Sequence, residues 1–196
     1  MADPWLVAGL GNPGEQYAAS RHNAGAMVIE RLAERLGTRL RKVRFLPVVV
    51  GEATRRRHMV LLVRTTSYMN ESGPPVASFA RKRGIPVDRV IVCHDEIDLP
   101  LGALRIKRGG STAGHHGLDS LVEAFHSADF HRVRIGVGKP SRREAHVRHV
   151  LGPFSKRERE EFDVVLEESV DAVLSLIDDG LEATQSSFNR SAPPST

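Results

Sequence analysis

Short apolar, β-branched runs alternate along this chain with stretches whose apolar residues recur at helical spacing, and that alternation restricts the fold to the α/β class. The strand candidates are Trp5 to Leu10, Val43 to Val50, Met59 to Val63, Val90 to His94, Leu104 to Lys107 and Val133 to Val137. Between them, Ala24 to Leu36 carries Met27, Val28, Leu32 and Leu36 on one face, with Gly37 placed to end the helix. Gly73 to Arg83 repeats the pattern with Val76, Phe79 and Ala80; Pro74 and Pro75 are tolerable only in its first turn. His116 to Phe125 and Lys156 to Asp178 complete the helices, and Ser155 with Glu158 has the spacing of a capping box for the second. The pattern predicts one domain over residues 1–190 with a mostly parallel or mixed sheet, and a frayed tail over 191–196.

A chain of 196 residues can bury about 70% of the surface it would expose unfolded, so no metal or disulfide staple is required. With 40% hydrophobic and 27% charged residues, a disordered, collagenous or disulfide-framework protein is excluded. Cys93 is the single cysteine and cannot form an internal disulfide, no apolar run reaches the roughly 18 residues of a membrane span, and the N-terminus lacks a signal pattern. The expectation is a cytoplasmic protein with no membrane association. The net charge of +4 averages over an acidic stretch, Glu158 to Asp179, and a basic one, Arg105 to Arg148. A polyanionic partner would meet a stronger local field than the total implies.

The polar residues that can do chemistry gather where strands end. Gly9-Leu10-Gly11-Asn12-Pro13-Gly14 matches the dinucleotide fingerprint letter for letter. Its context does not: Pro13 removes an N–H that a phosphate would need, no helical face begins until Ala24, and no acidic residue closes a second strand about 20 residues on. Asn12, Tyr17, Arg21, His22 and Asn23 crowd into the loop instead. A second group, Thr65 to Asn70, contains Ser67, Tyr68, Met69 and Asn70, with a helix cap as the plainer role for Ser67 or Asn70. The third, Cys93 to Asp98, sets three carboxylates, Asp95, Glu96 and Asp98, at a strand end. One of them can fix the tautomer of a histidine from another loop, and the others suit a surface turn. The fourth is the loop Gly109 to Gly117, entering a helix. A cysteine hydrolase on Cys93 and His94 is geometrically poor, because adjacent strand residues face opposite sides. His115, His116, His146 and His149 lack the spacing of a zinc site, so no metal is expected.

Taken in order, Gly9 to Gly14, Tyr17, Ser20 to Gly25, Tyr68 to Asn70, His94 to Pro100 and Phe130 to Gly138 resemble the bacterial peptidyl-tRNA hydrolase family over about residues 5 to 190. The resemblance implies a monomeric α/β fold around a twisted mixed, mostly parallel sheet flanked by helices. It also implies cleavage of the ester between a stalled peptide and tRNA, with no metal or organic cofactor. It further implies that His22 is the general base for water, that Asp95 orients His22, and that Asn70 binds the attacking water or the oxyanion. Asn12 would bind the peptide backbone beside the ester, and Tyr17, Tyr68 and Met69 would shape the cleft. Arg105, Lys107 and Arg134 stand where the family carries cations for tRNA phosphates; Arg108, Arg132, Lys139, Arg142 and Arg143 flank them as either phosphate contacts or a solvated basic face.

The chain departs from the family pattern at His116, where an Asn that contributes to tRNA and substrate binding is usual. Imidazole cannot reproduce the two donors and one acceptor of a carboxamide. Either His116 substitutes adequately, or the chain is a divergent copy; Ser67 for the usual Thr and the Ser111-Thr112-Ala113 loop are milder changes. The competing class is a non-catalytic RNA-binding relative that keeps the cleft and the basic face.

Overall fold

The computed structural model describes residues 4–189, apart from the side chain of Arg143; the expected tail at 191–196 lies outside the described residues. Seven strands, β1 (Trp5–Gly9), β2 (Arg41–Lys42), β3 (Val48–Arg55), β4 (His58–Thr65), β5 (Val90–Glu96), β6 (Leu104–Arg108) and β7 (His131–Gly136), make one sheet in the order β2-β3-β4-β1-β5-β7-β6. The four central strands β4, β1, β5 and β7 are parallel, while β3 and β6 run antiparallel to their inner neighbours. The helices are α1 (Ala24–Arg35), α2 (Gly73–Lys82), α3 (His116–Phe125), α4 (His146–Leu151), α5 (Lys156–Asp179) and α6 (Leu181–Phe188). Among the described residues, no helix is long and apolar enough to cross a membrane.

Strands β1 and β5 are buried at every residue, which explains why their sequences are continuous apolar runs rather than alternating ones. Their pleat divides the core in two. Val7, Ile91 and Cys93 pack with Leu32 of α1 and Phe162 and Val170 of α5, whereas Leu6, Ala8 and Val92 pack with Val76 and Phe79 of α2 and Leu118 of α3. Neighbouring strands β1 and β4 therefore lead into helices on opposite faces of the sheet. That divergence opens a crevice beyond their carboxyl ends, the place where open α/β sheets bind ligands. Helix α1 is pressed against the sheet there: a Cβ on Gly25 would collide with the Cys93 carbonyl, so only glycine lets the first turn of α1 approach β5 this closely.

The expected elements recur with shifted bounds, and one is replaced. The run Val43 to Val50 is not one strand: the ladder begins at Val48, and 43–47 form a turn closed by Val43 N–H donating to Val48 O at 3.2 Å, with Phe45 at φ 64°. Pro47, which lacks an N–H, sits in that turn. Strand β5 continues two residues beyond His94 and so carries Asp95 and Glu96 on the ladder. Helices α4 and α6 and the short strand β2 had no counterpart in the sequence reading. The acidic helix α5 is partly neutralised by Arg31 and Arg35 against Glu167, Arg35 against Asp171, and Arg55 and Arg56 against Asp178.

Candidate active site

His22 lies on a 3-10 turn, Arg21–Asn23, between β1 and α1. Its Nδ1 is 2.9 Å from Oδ1 of Asp95, and the same oxygen is 3.0 Å from Nε2 of His115. An ionised carboxylate only accepts, so both nitrogens carry protons. For His115 that assignment is forced a second time, because its Nδ1 accepts from the N–H groups of Gly117 and Leu118 at 3.2 and 3.3 Å and thereby caps α3. His115 is thus a neutral donor held in one tautomer by a helix terminus, and His22 keeps the lone pair of Nε2 for the cleft.

Charge and burial oppose one another here. Burial works to lower the pKa of His22, but the charge and hydrogen bond of Asp95 outweigh it and the net shift is upward. Burial also works to raise that of Asp95, and the two imidazoles beside it hold it well below the usual carboxylate range. Of the three acids at this strand end, the pleat therefore presents only Asp95 to His22. Glu96 faces the other way and accepts from Nε and Nη2 of Arg134 at 3.1 and 3.0 Å, while Asp98 pairs with Lys139 at 2.6 Å. His94 is buried, donates from Nδ1 to the Asp95 carbonyl at 2.7 Å, and is pushed by burial down to about 3, so it stays neutral against the edge of His115. Burial likewise pushes the Cys93 thiol up, which removes it as a nucleophile.

Asn12 closes the crevice. Its backbone exchanges two hydrogen bonds with the side chain of Asn23, at 2.8 and 2.9 Å, and its Oδ1 accepts from the Met69 N–H at 2.8 Å. The carboxamide is thereby oriented, leaving Nδ2 as the donor for a ligand. A cleft of roughly 430 Å³ is lined by Asn12, His22, Tyr68, Met69, Asn70 and His116 on one side and by Val147, Val150 and Leu151 of α4 on the other. Of the residues expected to shape this cleft, Tyr68, Met69, Asn70 and His116 do line it. Tyr17, half-buried on the 3-10 turn Glu15–Tyr17, does not. His116 is exposed, with Asp119 at 3.8 Å.

The α4 wall was not legible in the sequence, nor was the residue that fixes it. Arg21 is buried; its Nη1 donates to the carbonyls of His149, Gly152 and Pro153 at 3.3, 3.3 and 2.6 Å, and its Nη2 to both oxygens of Glu158 at 2.8 Å. The turn that carries His22 is thus bolted to the segment that forms the opposite side of the cleft. An arginine beside the histidine in a crowded polar loop was the available signal, and nothing local to it named the partner.

Arg105 and Arg134 are cross-strand neighbours on β6 and β7, with Lys107 and Arg132 the next pair. Arg132 is buried and donates to the carbonyls of Gly110 and Ser111, which makes it a brace for the glycine-rich loop rather than a surface cation. Burial and then the charges of Arg134 and Arg132 lower the pKa of Lys107. The four histidines weighed as a metal set do not assemble; His149 bonds the Val137 carbonyl instead. His22, Asp95 and His115 do bring ligand atoms within 4.8 Å of one another. An ion there would displace the protons that Asp95 accepts and break the cap of α3, so the donor set fits a hydrogen-bonded relay better than a metal.

A family model for peptidyl-tRNA hydrolase matches residues 6–195. The chain is 47% identical over 186 residues to the peptidyl-tRNA hydrolase of Frankia casuarinae, covering 95% of this chain and 94% of that one, and 45% identical to that of Syntrophotalea carbinolica, covering 94% and 96%. The crystal structure of peptidyl-tRNA hydrolase from Acinetobacter baumannii superposes with a TM-score of 0.90 at 34% identity, covering 96% of each chain. With the motifs, the sheet order and these likenesses in agreement, the chain belongs to the peptidyl-tRNA hydrolase family.

Proposed function

We propose that this protein hydrolyses the ester between a peptide and the 3′ ribose oxygen of tRNA, with His22 as general base. The observation that carries this reading is the shared Asp95 oxygen, which accepts from His22 and from a histidine of fixed tautomer and so leaves Nε2 of His22 basic at the cleft. Water attacks the ester carbonyl while Nε2 takes its proton, and Asp95 stabilises the imidazolium. The tetrahedral intermediate then collapses, the C–O bond to the ribose breaks, and the proton passes to the leaving oxygen, giving a free carboxylic acid and tRNA. General-base assistance of this kind contributes roughly 10²- to 10⁴-fold.

Asn70, exposed at the rim, is the donor for the attacking water or the oxyanion. Asn12 offers Nδ2 to a peptide carbonyl, and backbone recognition of this kind accommodates many side chains. Tyr68, Met69 and the apolar residues of α4 suit the aminoacyl group and the terminal nucleotide, with His116 at the tRNA side of the mouth. Arg105, Lys107 and Arg134 suit phosphates of the acceptor stem, where a phosphate competes with Glu96 for Arg134. One continuous sheet with helices on both faces supports reading 1–190 as a single catalytic domain, and a tRNA substrate suits a protein that works in the cytoplasm.

The test is turnover of an N-acetylated aminoacyl-tRNA by the wild type and by His22→Ala. A loss of at least 100-fold in the variant, with its fold intact, is expected. Equal rates, or no turnover by either protein at high enzyme concentration, would favour the non-catalytic RNA-binding relative.

A further inference from the structure

The edge of the sheet farthest from Arg105 and Lys107 carries a second basic surface. Arg39, Arg41, Lys42 and Arg44 fall within six residues at strand β2 and its turn, all four exposed, and among the described residues none has a carboxylate within ion-pair distance. Arg83, which lines the same cavity of roughly 670 Å³ as Arg39, Arg41 and Lys42, is by contrast held by Glu52 at 2.7 Å.

An aromatic ring adjoins these charges at the tip of the turn. Val43 and Leu46 anchor the turn to the core beside α2, and Phe45 between them is 85% exposed with φ 64°, a left-handed conformation that is rare for a bulky side chain. The guanidinium of its own neighbour Arg44 lies over the Phe45 ring, 4.6 Å from the centroid. Protection of an edge strand explains charges there. It does not explain an outward phenylalanine held in strained backbone by an anchored turn, which adds a sticky surface where edge protection would remove one.

We propose that Arg39, Arg41, Lys42, Arg44 and Phe45 form a second RNA-binding surface, which takes an unpaired strand with phosphates on the cations and a base stacked on Phe45. Aromatic rings interleaved with arginine and lysine are the common design for single-stranded nucleic acid, because every base has a stacking face. This strand is not the acceptor stem of the substrate. Strand β2 is six strand steps from β6, about 29 Å at ~4.8 Å per step, and the crevice with His22 lies midway between the two edges.

The experiment measures binding of a fluorescein-labelled 12-nucleotide single-stranded RNA by a chain in which Arg105→Gln and Lys107→Gln have weakened the other basic edge. Adding Arg39→Gln, Arg41→Gln, Lys42→Gln and Arg44→Gln is expected to weaken binding at least tenfold and to flatten the log–log salt slope by about 3, given ~0.7 per phosphate contact on a single strand. Phe45→Ala alone is expected to weaken binding about three- to tenfold at unchanged salt slope. In the otherwise wild-type enzyme, the same five substitutions should leave turnover of an N-acetylaminoacyl acceptor-stem minihelix within twofold. Unchanged RNA affinity, or minihelix turnover that falls in step with it, overturns the proposal. So does equally tight binding of phosphatidylglycerol vesicles that depends on the same residues.

Discussion

Replacing Asp95 by Asn removes a charge from the site while the geometry restricts what the amide can do. Both histidines bond the same oxygen, Oδ1, and His115 must donate because its other nitrogen caps α3. Turning the amide so that its NH2 met His115 would set donor against donor, so the carbonyl oxygen stays in place and His22 keeps the productive tautomer. What is lost is the attraction between the carboxylate and the imidazolium that forms on proton abstraction. Two unit charges about 4 Å apart at an effective dielectric near 20 interact by about 4 kcal/mol, equivalent to roughly 10³-fold in rate. The ground state moves as well. With Asp95 neutral, burial is left to depress the pKa of His22, so the acid limb of the rate profile, which rises as His22 loses its proton, should shift to lower pH. Release of N-acetylated amino acid from tRNA, followed as kcat/KM between pH 5 and 8, reads both effects. A kcat/KM within tenfold of wild type, or an acid limb that does not move, refutes the reasoning. A drop in Asp95→Asn accompanied by an acid limb shifted upward refutes it equally.

Arg21→Ala should cost about 2–4 kcal/mol, below the range for fully buried pairs because the Glu158 side chain is 35% exposed, and a thermal melt should show a fall of roughly 5–12 °C. Because Arg21 sets the α4 wall against His22, KM should rise by about tenfold and by more than kcat falls; an unchanged KM would confine Arg21 to stability. Glu158 is held down at about 2, first by the Ser155 N–H and also by Arg21, so its stabilisation is complete above the ordinary carboxylate range and is lost as the pH falls from about 4.5 towards 2. Glu158→Gln should therefore flatten the acid side of the stability curve in denaturant titrations, and an unaltered curve would count against the pairing. His116→Asn should change kcat/KM by less than about threefold at pH 7.5, since the side chain is exposed and only 3.8 Å from Asp119, with a larger gain marking the histidine as a weakened position.

Periodicity is a local property, and what depended on it could be read from the residues in order. The helices α1, α2, α3 and α5, the central strands, the capping box of Ser155 and Glu158, and the gathering of His22, Asn70 and Asp95 at strand ends all follow from spacing and from residue type. Weak local signals misled or were silent. The Val43 to Val50 run is apolar enough for a strand, but Pro47 and the left-handed Phe45 make a turn of its first half. Helix α4, with only six residues, presents Val147, Val150 and Leu151 to the cleft, so its apolar face is set by the wall that carries His22, distant in the chain, rather than by the core.

The sequence by itself determined the α/β class, the ends at which chemistry could collect and the set of groups available to do it. Only the tertiary structure decided which of those groups meet. His22 and Asp95 are 73 residues apart, and their contact requires β1 and β5 to be parallel neighbours with α1 pressed close on Gly25. The pleat then chose Asp95 for the histidines and sent Glu96 to Arg134, while the N-terminus of α3 fixed the proton on His115. Alternation along a strand is written in the sequence, but which face points to which partner is set by the register of strands distant in the chain, and that is fixed only when the sheet closes.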